Sequence, residues 1–277
     1  MNFYQTLTHD HLIAAHRGYR ALRPENTLSA FTEAMGHFDF IELDIQPSRD
    51  GRLMVLHDET IERTTDADDR LPSPRPHHLF EYDYSQLHTL DAASWFVRSD
   101  PFGTLASGMV SPQSIAPEPI PTLDEVLRLC ARHAMPLNIE IKDSPAFDTD
   151  ALLQELLTTI APYREGAIPL LISSFNHRYL AQLHTLDPTL SLAANIEHTH
   201  PPQLLQYLEA LGVIAYHVDA PLTETTPVAQ LAEAGITCGV FTLNDPQAQA
   251  QCFKKGFRAI FADMPPKIHP ILQTSNQ

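Results

Sequence analysis

A rhythm in the sequence restricts the fold more than any composition does: short apolar, β-like runs alternate with amphipathic helical stretches along nearly the whole chain. The runs fall at residues 12–15, 40–45, 136–141, 168–172, 191–194, 213–218, 237–241 and 259–262, which makes eight. Most are too continuously apolar to alternate strictly, as expected of parallel strands covered on both faces. Between them, Leu28, Phe31 and Met35 recur at i, i+3 and i+7 after Asn26 and Thr27. Thr122 and Glu125 have capping-box spacing and open a helix with Leu123, Val126, Leu127 and Cys130 on one face. Further helical patterns cover 150–160, 176–186, 202–211, 227–234 and 245–255. Eight βα units in series predict an α/β chain folded as one (β/α)8 TIM barrel over residues 1–277, with its chemistry at the C-terminal strand ends. A doubly wound open sheet shares this periodicity and stays open as an alternative.

One segment breaks the rhythm. Between about residues 59 and 119 the expected helix is missing, and eight of the 23 prolines lie in residues 72–121. A loop beyond ~12–15 residues is usually functional or has structure of its own. It reads as an insertion after a hairpin-like return, with a turn at Gly51 and a short strand at 53–56, arching over the barrel mouth.

No apolar run approaches the ~18–20 residues that span a bilayer, and no secretory signal pattern opens the chain, so no membrane anchor and a cytoplasmic location are expected. Cys130, Cys238 and Cys252 are odd in number and far apart. Cys130 and Cys238 read as buried core residues, so disulfides and zinc sites are not expected. A formal charge of −16 argues against nucleic acid or an anionic membrane as partner. It also means that a phosphate-bearing substrate would need a local reversal of field, for which a bound cation is the simplest device.

Three clusters of reactive residues lie at predicted strand ends: His16-Arg17-Gly18 continuing to Pro24-Glu25-Asn26-Thr27; Glu42-Leu43-Asp44 followed by Asp50-Gly51 and His57-Asp58; and Asn138-Ile139-Glu140-Ile141-Lys142. Glu42 and Asp44 are two apart, so both leave one face of their strand, and Glu140 and Lys142 repeat that arrangement. Three acids facing one mouth repel one another unless a divalent cation joins them, and an oxygen-only set favours Mg²⁺ or Ca²⁺ over zinc. Solvated strand-end charges are the bland alternative, weakened by two such pairs within otherwise apolar strands. Of the 15 histidines, His9, His11, His77, His78, His198 and His200 lie in polar or proline-rich loops and read as solvated. His16 and His57 each follow an apolar run, and two imidazoles can supply the base and acid of a phosphodiester reaction. Arg17 and Lys142 could offset phosphoryl charge. The motifs G-x-G-x-x-G, G-x-x-x-x-G-K-[ST] and G-x-S-x-G are absent.

In this order the clusters resemble the signature of the glycerophosphodiester phosphodiesterase family. The likeness continues through Asp91, Ser94-Trp95-Phe96, Ile120-Pro121-Thr122-Leu123-Asp124-Glu125, Ser173-Ser174-Phe175, Phe241-Thr242-Leu243-Asn244 and Phe261-Ala262-Asp263-Met264-Pro265, covering roughly His11 to Pro266. It implies a phospholipase-C-like barrel, a divalent cation (Mg²⁺ before Ca²⁺) on Glu42, Asp44 and Glu140, and acid/base roles for His16 and His57. It implies substrate or phosphate contacts at Arg17, Glu25, Lys142 and Phe241, and a small-molecule glycerophosphodiester, such as glycerophosphocholine or glycerophosphoethanolamine, as substrate. The family's small insertion matches 59–119. Phe241 stands where the family usually has Trp, keeping an apolar wall, while Ala262 and Met264 replace the usual Thr and Arg and remove a basic contact beside Asp263. A lysophospholipase-D-like barrel and a non-catalytic binding barrel are the competing readings; the second would have lost a metal ligand or a histidine, and neither is lost here.

Overall fold

A computed structural model describes residues 1–71, 75–164, 166 and 168–265. In chain order the elements are α1 (Phe3–Thr6), β1 (Leu12–His16), α2 (Leu28–Ala34), β2 (Phe40–Pro47), β3 (Leu53–Val55), α3 (Ala67–Arg70), α4 (Tyr84–Leu87), α5 (Ser94–Ser99) and α6 (Leu123–His133). They continue with β4 (Leu137–Ile141), α7 (Thr149–Arg164), β5 (Leu170–Ser174), α8 (His177–Leu186), β6 (Leu192–Ile196), α9 (Leu204–Leu211), β7 (Ala215–Asp219), α10 (Val228–Glu233), β8 (Thr237–Phe241), α11 (Pro246–Lys254) and β9 (Ala259–Ala262). Every predicted barrel strand is present. β1 pairs in parallel with both β2 and β9, which closes the ring through β4 to β8 and settles the choice between barrel and open sheet. β3 is the hairpin return, antiparallel to the end of β2.

Alternation along the strands separates two cores. Ile13, Ile41, Leu43, Ile139 and Ile141 face outward and pack under the helices. Leu12, Ala14, Phe40, Leu171, Ala193, Ala215, Ala259 and Phe261 face the lumen, where α1 adds Phe3 and Tyr4. Small lumen residues leave room, and two aromatic rings from the N-terminal segment fill it; an eight-stranded barrel has space only for side chains. This plug had no signal in the sequence, because a four-residue helix shows no period.

The capping box at Thr122 forms as read, with Thr122 accepting from the Glu125 N–H and Glu125 accepting from the Thr122 N–H. The face of α6 bearing Leu123, Val126, Leu127 and Cys130 is buried. Strands β5, β6 and β7 run past the apolar stretches into Ser174, Ile196 and Asp219, because polar lumen residues at the strand ends are still paired in the sheet. The insertion contains no barrel helix but has a small core of its own around Leu56, Ile61, Leu79, Tyr82 and Leu87, built on Met54 of β3. Residues 72–74 of the insertion and Pro266 lie outside the described residues. His77 corrects the reading of solvated loop histidines: it is 1% exposed and hydrogen-bonded through Nδ1 to the Tyr82 hydroxyl at 2.7 Å, buried by this small core. All three cysteines are buried and free. Among the described residues no helix is long and apolar enough to cross a membrane.

Candidate active site

The C-terminal end of the barrel holds a cavity of about 360 Å³, lined by His16, Arg17, Glu42, Asp44, His57, Glu140, Lys142 and Phe241 among others. A larger hollow of about 710 Å³ lies beside the plug at the opposite end, and its lining has no carboxylate or imidazole among the described residues. The chemistry is at the mouth.

The β1 end shows why a particular backbone is needed there. After His16 the chain turns through Arg17 at φ 58° and Gly18 at φ 82°. The turn aims the Arg17 N–H at Glu42 Oε2, 2.9 Å away. It also brings Gly18 against α2, so that a Cβ would lie 2.8 Å from the Ala30 carbonyl carbon. Gly18→Ala therefore combines a left-handed penalty with overlap against backbone and is expected to destabilise by about 2–4 kcal/mol. An unchanged urea midpoint would refute this. Asn26, also left-handed at φ 57°, donates from Nδ2 to Asp44 Oδ2 at 2.9 Å.

Glu42, Asp44 and Glu140 each offer an oxygen, all within 4.8 Å of one another. Burial and the neighbouring Asp44 and Glu140 charges push the Glu42 carboxyl well above its ordinary range, and burial with Asp44 pushes Glu140 up. Burial also acts on Asp44, but the Arg17, His57 and Lys142 charges outweigh it and hold Asp44 well below. The site thus has more negative charge than its own cations satisfy: Lys142 Nζ is 2.7 Å from Glu140 and 3.6 Å from Asp44, and Arg17 Nε is 3.4 Å from Asp44. A buried oxygen-only donor set that resists full ionisation fits a hard divalent cation, whose charge would replace the missing protons.

Glu25 is placed differently from its reading as a substrate contact. Its buried carboxylate is taken by Arg17 Nη1 at 2.9 Å, Arg20 Nη2 at 2.9 Å and Arg63 Nη2 at 2.7 Å. Burial opposes its ionisation, yet these guanidiniums hold its pKa at about 2. It stands behind Arg17 and steers it. Arg20 also lies 3.6 Å from Asp263, so a basic group reaches Asp263 from the β1–α2 loop although Met264 supplies none.

Both histidines face the cavity with one nitrogen tied to a carboxylate. His16 Nδ1 donates to Asp263 Oδ1 at 2.9 Å, and Asn244 Nδ2 donates to the other Asp263 oxygen at 2.7 Å. His57 Nδ1 donates to Asp58 Oδ1 at 2.8 Å, and Asp58 is gripped in turn by Arg63 from the insertion. In both rings the carboxylate partner is on Nδ1 rather than Nε2. Phe241 stands edge-on to Phe175, ring centroids 5.5 Å apart, as an apolar wall.

The structure thus brings every predicted metal, histidine and phosphate residue to one cavity, with Glu25 in support. The sequence reading missed Arg20, Arg63, Asn195 and His217. Asn195 and His217 had a usable signal, since both sit at i+2 from lumen alanines, Ala193 and Ala215.

Comparison with known proteins agrees with this geometry. Residues 16–267 match the glycerophosphoryl diester phosphodiesterase family. A glycerophosphodiester phosphodiesterase of Bacillus altitudinis is 32% identical over 91% of this chain and 94% of its own length. One from Bacillus subtilis is 26% identical over 94% and 86%. Among solved structures, an Oleispira antarctica phosphodiesterase in complex with the product sn-glycerol-3-phosphate superposes with a TM-score of 0.81 at 25% identity, covering 99% of this chain and all of that one.

Proposed function

Since the chain belongs to the glycerophosphoryl diester phosphodiesterase family and is a phosphoric diester hydrolase, we propose that it cleaves glycerophosphodiesters such as glycerophosphocholine or glycerophosphoethanolamine to glycerol 3-phosphate and an alcohol. The observation that carries this reading is the meeting of three acids, two carboxylate-tied imidazoles and two cations around one cavity. Glu42, Asp44 and Glu140 would hold the cation, Mg²⁺ before Ca²⁺. When bound, it supplies Lewis-acid charge to the non-bridging phosphate oxygens.

The protein's own groups do the rest. Arg17, fixed by Glu25, and Lys142 bind the phosphoryl oxygens and offset the charge that develops on them. His16 Nε2 removes a proton from the glycerol 2-hydroxyl, which attacks phosphorus in line. His57 Nε2 protonates the departing alcohol oxygen. Water then opens the cyclic phosphate with the two roles exchanged. Phe241 and Phe175 would face the carbon chain. The chain would act as a single barrel domain, with the insertion contributing Arg63 to the rim and helping to select the alcohol. The product seen in the Oleispira antarctica enzyme is the one this reading predicts.

The test is glycerol 3-phosphate release with and without chelator. Chelation should abolish turnover and Mg²⁺ should restore it, while Glu140→Gln should raise the cation concentration needed with little loss of fold. Full activity in metal-stripped protein would end the metal reading.

A further inference from the structure

The proposed chemistry leaves unused a chain of hydrogen bonds running from the floor of the barrel to its mouth. Tyr4, on the plug α1, brings its hydroxyl to 2.8 Å from His217 Nε2. His217 Nδ1 lies 3.1 Å from Asn195 Oδ1, and Asn195 Nδ2 donates to Glu140 Oε2 at 3.0 Å. Asn195 is on β6 and His217 on β7, and both are nearly inaccessible, 3% and 1% exposed.

With Glu140 ionised, as a bound cation would keep it, the direction of each bond follows. An ionised Glu140 only accepts, so Asn195 turns its amide NH₂ to it and its carbonyl to His217. His217 must then carry its proton on Nδ1, and its Nε2 lone pair accepts from the Tyr4 hydroxyl. Burial holds the His217 imidazole down at about 3 and pushes the Tyr4 hydroxyl up, so the ring has one proton to place and the phenol keeps its own. The second Glu140 oxygen takes Lys142 at 2.7 Å, which leaves the carboxylate little rotational freedom.

Gly239 supports the same arrangement. It is the β8 partner of His217 in the sheet, and a Cβ there would lie 2.8 Å from His217 Cδ2. Any larger residue would displace the ring. Tyr4, for its part, lies outside the span of residues 16–267 that matches the family.

We propose that Tyr4, His217 and Asn195 are positioning residues that fix the orientation of Glu140 for the cation, so that the plug at one end of the barrel tunes metal affinity at the other. This rests on the reading of Glu140 as a metal ligand. Partners that orient a metal ligand commonly change affinity by about 10–100-fold when removed.

The experiment measures Mn²⁺ binding to metal-stripped full-length protein by electron paramagnetic resonance, alongside the kcat and KM split. Mn²⁺ serves as a spectroscopic probe with the oxygen preference of the site. Asn195→Ala should weaken Mn²⁺ binding about 10–100-fold. Tyr4→Phe keeps the ring and the plug and should weaken it roughly 3–10-fold, the size of one hydrogen bond acting through two others. Phe3→Leu disturbs plug packing without touching the hydroxyl and should leave Mn²⁺ affinity unchanged. In the double variant, Tyr4→Phe should add nothing to Asn195→Ala, because the route is already cut. Should Asn195→Ala not fold, Asn195→Ser, too short to bridge both neighbours, takes its place. Additive penalties, or equal effects of Phe3→Leu and Tyr4→Phe, overturn the relay. If Glu140→Gln weakens Mn²⁺ binding and Tyr4→Phe does not, the relay alone is wrong. If Glu140→Gln binds Mn²⁺ as the unaltered protein does, the metal reading fails and the relay with it.

Discussion

Changing His16 to Ala is expected to lower kcat by about 10²–10⁴-fold, the usual contribution of a positioned general base. The geometry gives the reason. Asp263 holds the His16 Nδ1 proton at 2.9 Å and is itself held by Asn244, so the lone pair is on Nε2. Asp263→Asn should cost nearly as much, because an amide cannot hold the same tautomer. His198→Ala is the matched control, since that side chain is 89% exposed, and it should change nothing. The pH profile gives an independent reading. Burial is the main influence on His16 and lowers its pKa, Arg17 and Arg20 act in the same direction, and Asp263 opposes them. The base must be neutral, and neutrality is lost as pH falls through its pKa. A lowered pKa therefore carries the acid limb of kcat/KM below the ordinary imidazole value of about 6.5. A cation on the acid trio would move the limb the same way. Asp263→Asn removes the opposing influence, so its limb should move lower still while the plateau falls. Near-normal turnover in His16→Ala, or an acid limb at or above the ordinary value, would remove His16 as the base.

These residues were legible in the sequence for a physical reason, and the missed ones were not for an equally physical one. Glu42 and Asp44, like Glu140 and Lys142, are charges two apart inside apolar strands, and period two puts both on one face. The lumen is the one place where such a face meets its counterparts. Asn195 was passed over because the apolar run ends at Ala194 while the sheet continues to Ile196, although its i+2 spacing from Ala193 marked it as a lumen position. Arg20 and Arg63 were hidden because their shared partner, Glu25, is a tertiary neighbour that no spacing reveals. The plug was hidden because Phe3 and Tyr4 acquire meaning only once a ring of small lumen residues exists to receive them. Proline content and length exposed the insertion, but not the small core that buries His77.

The nucleophile itself is testable through the substrate. If the glycerol 2-hydroxyl attacks phosphorus, a glycerophosphodiester lacking that hydroxyl should be cleaved with kcat lower by about 10³-fold or more. Effective molarities for well-oriented internal attack reach about 10⁵–10⁸ M, against about 55 M for water. Direct attack by water would instead predict nearly equal kcat for the two compounds. The comparison must be made on kcat as well as kcat/KM, since losing a hydroxyl contact alone weakens binding and moves only the second. The site has room for the internal route. His16 and His57 both line a cavity of about 360 Å³, so base, phosphorus and leaving oxygen can be held within one substrate-sized space. Internal attack forms the bond from the 2-oxygen to phosphorus and breaks the bond to the departing alcohol, which leaves with the His57 proton. It must therefore pass through a 1,2-cyclic glycerophosphate, and trapping that species would support the route. Equal kcat for the two substrates would exclude it, leaving the acid trio unaffected and the 2-hydroxyl as a binding contact only.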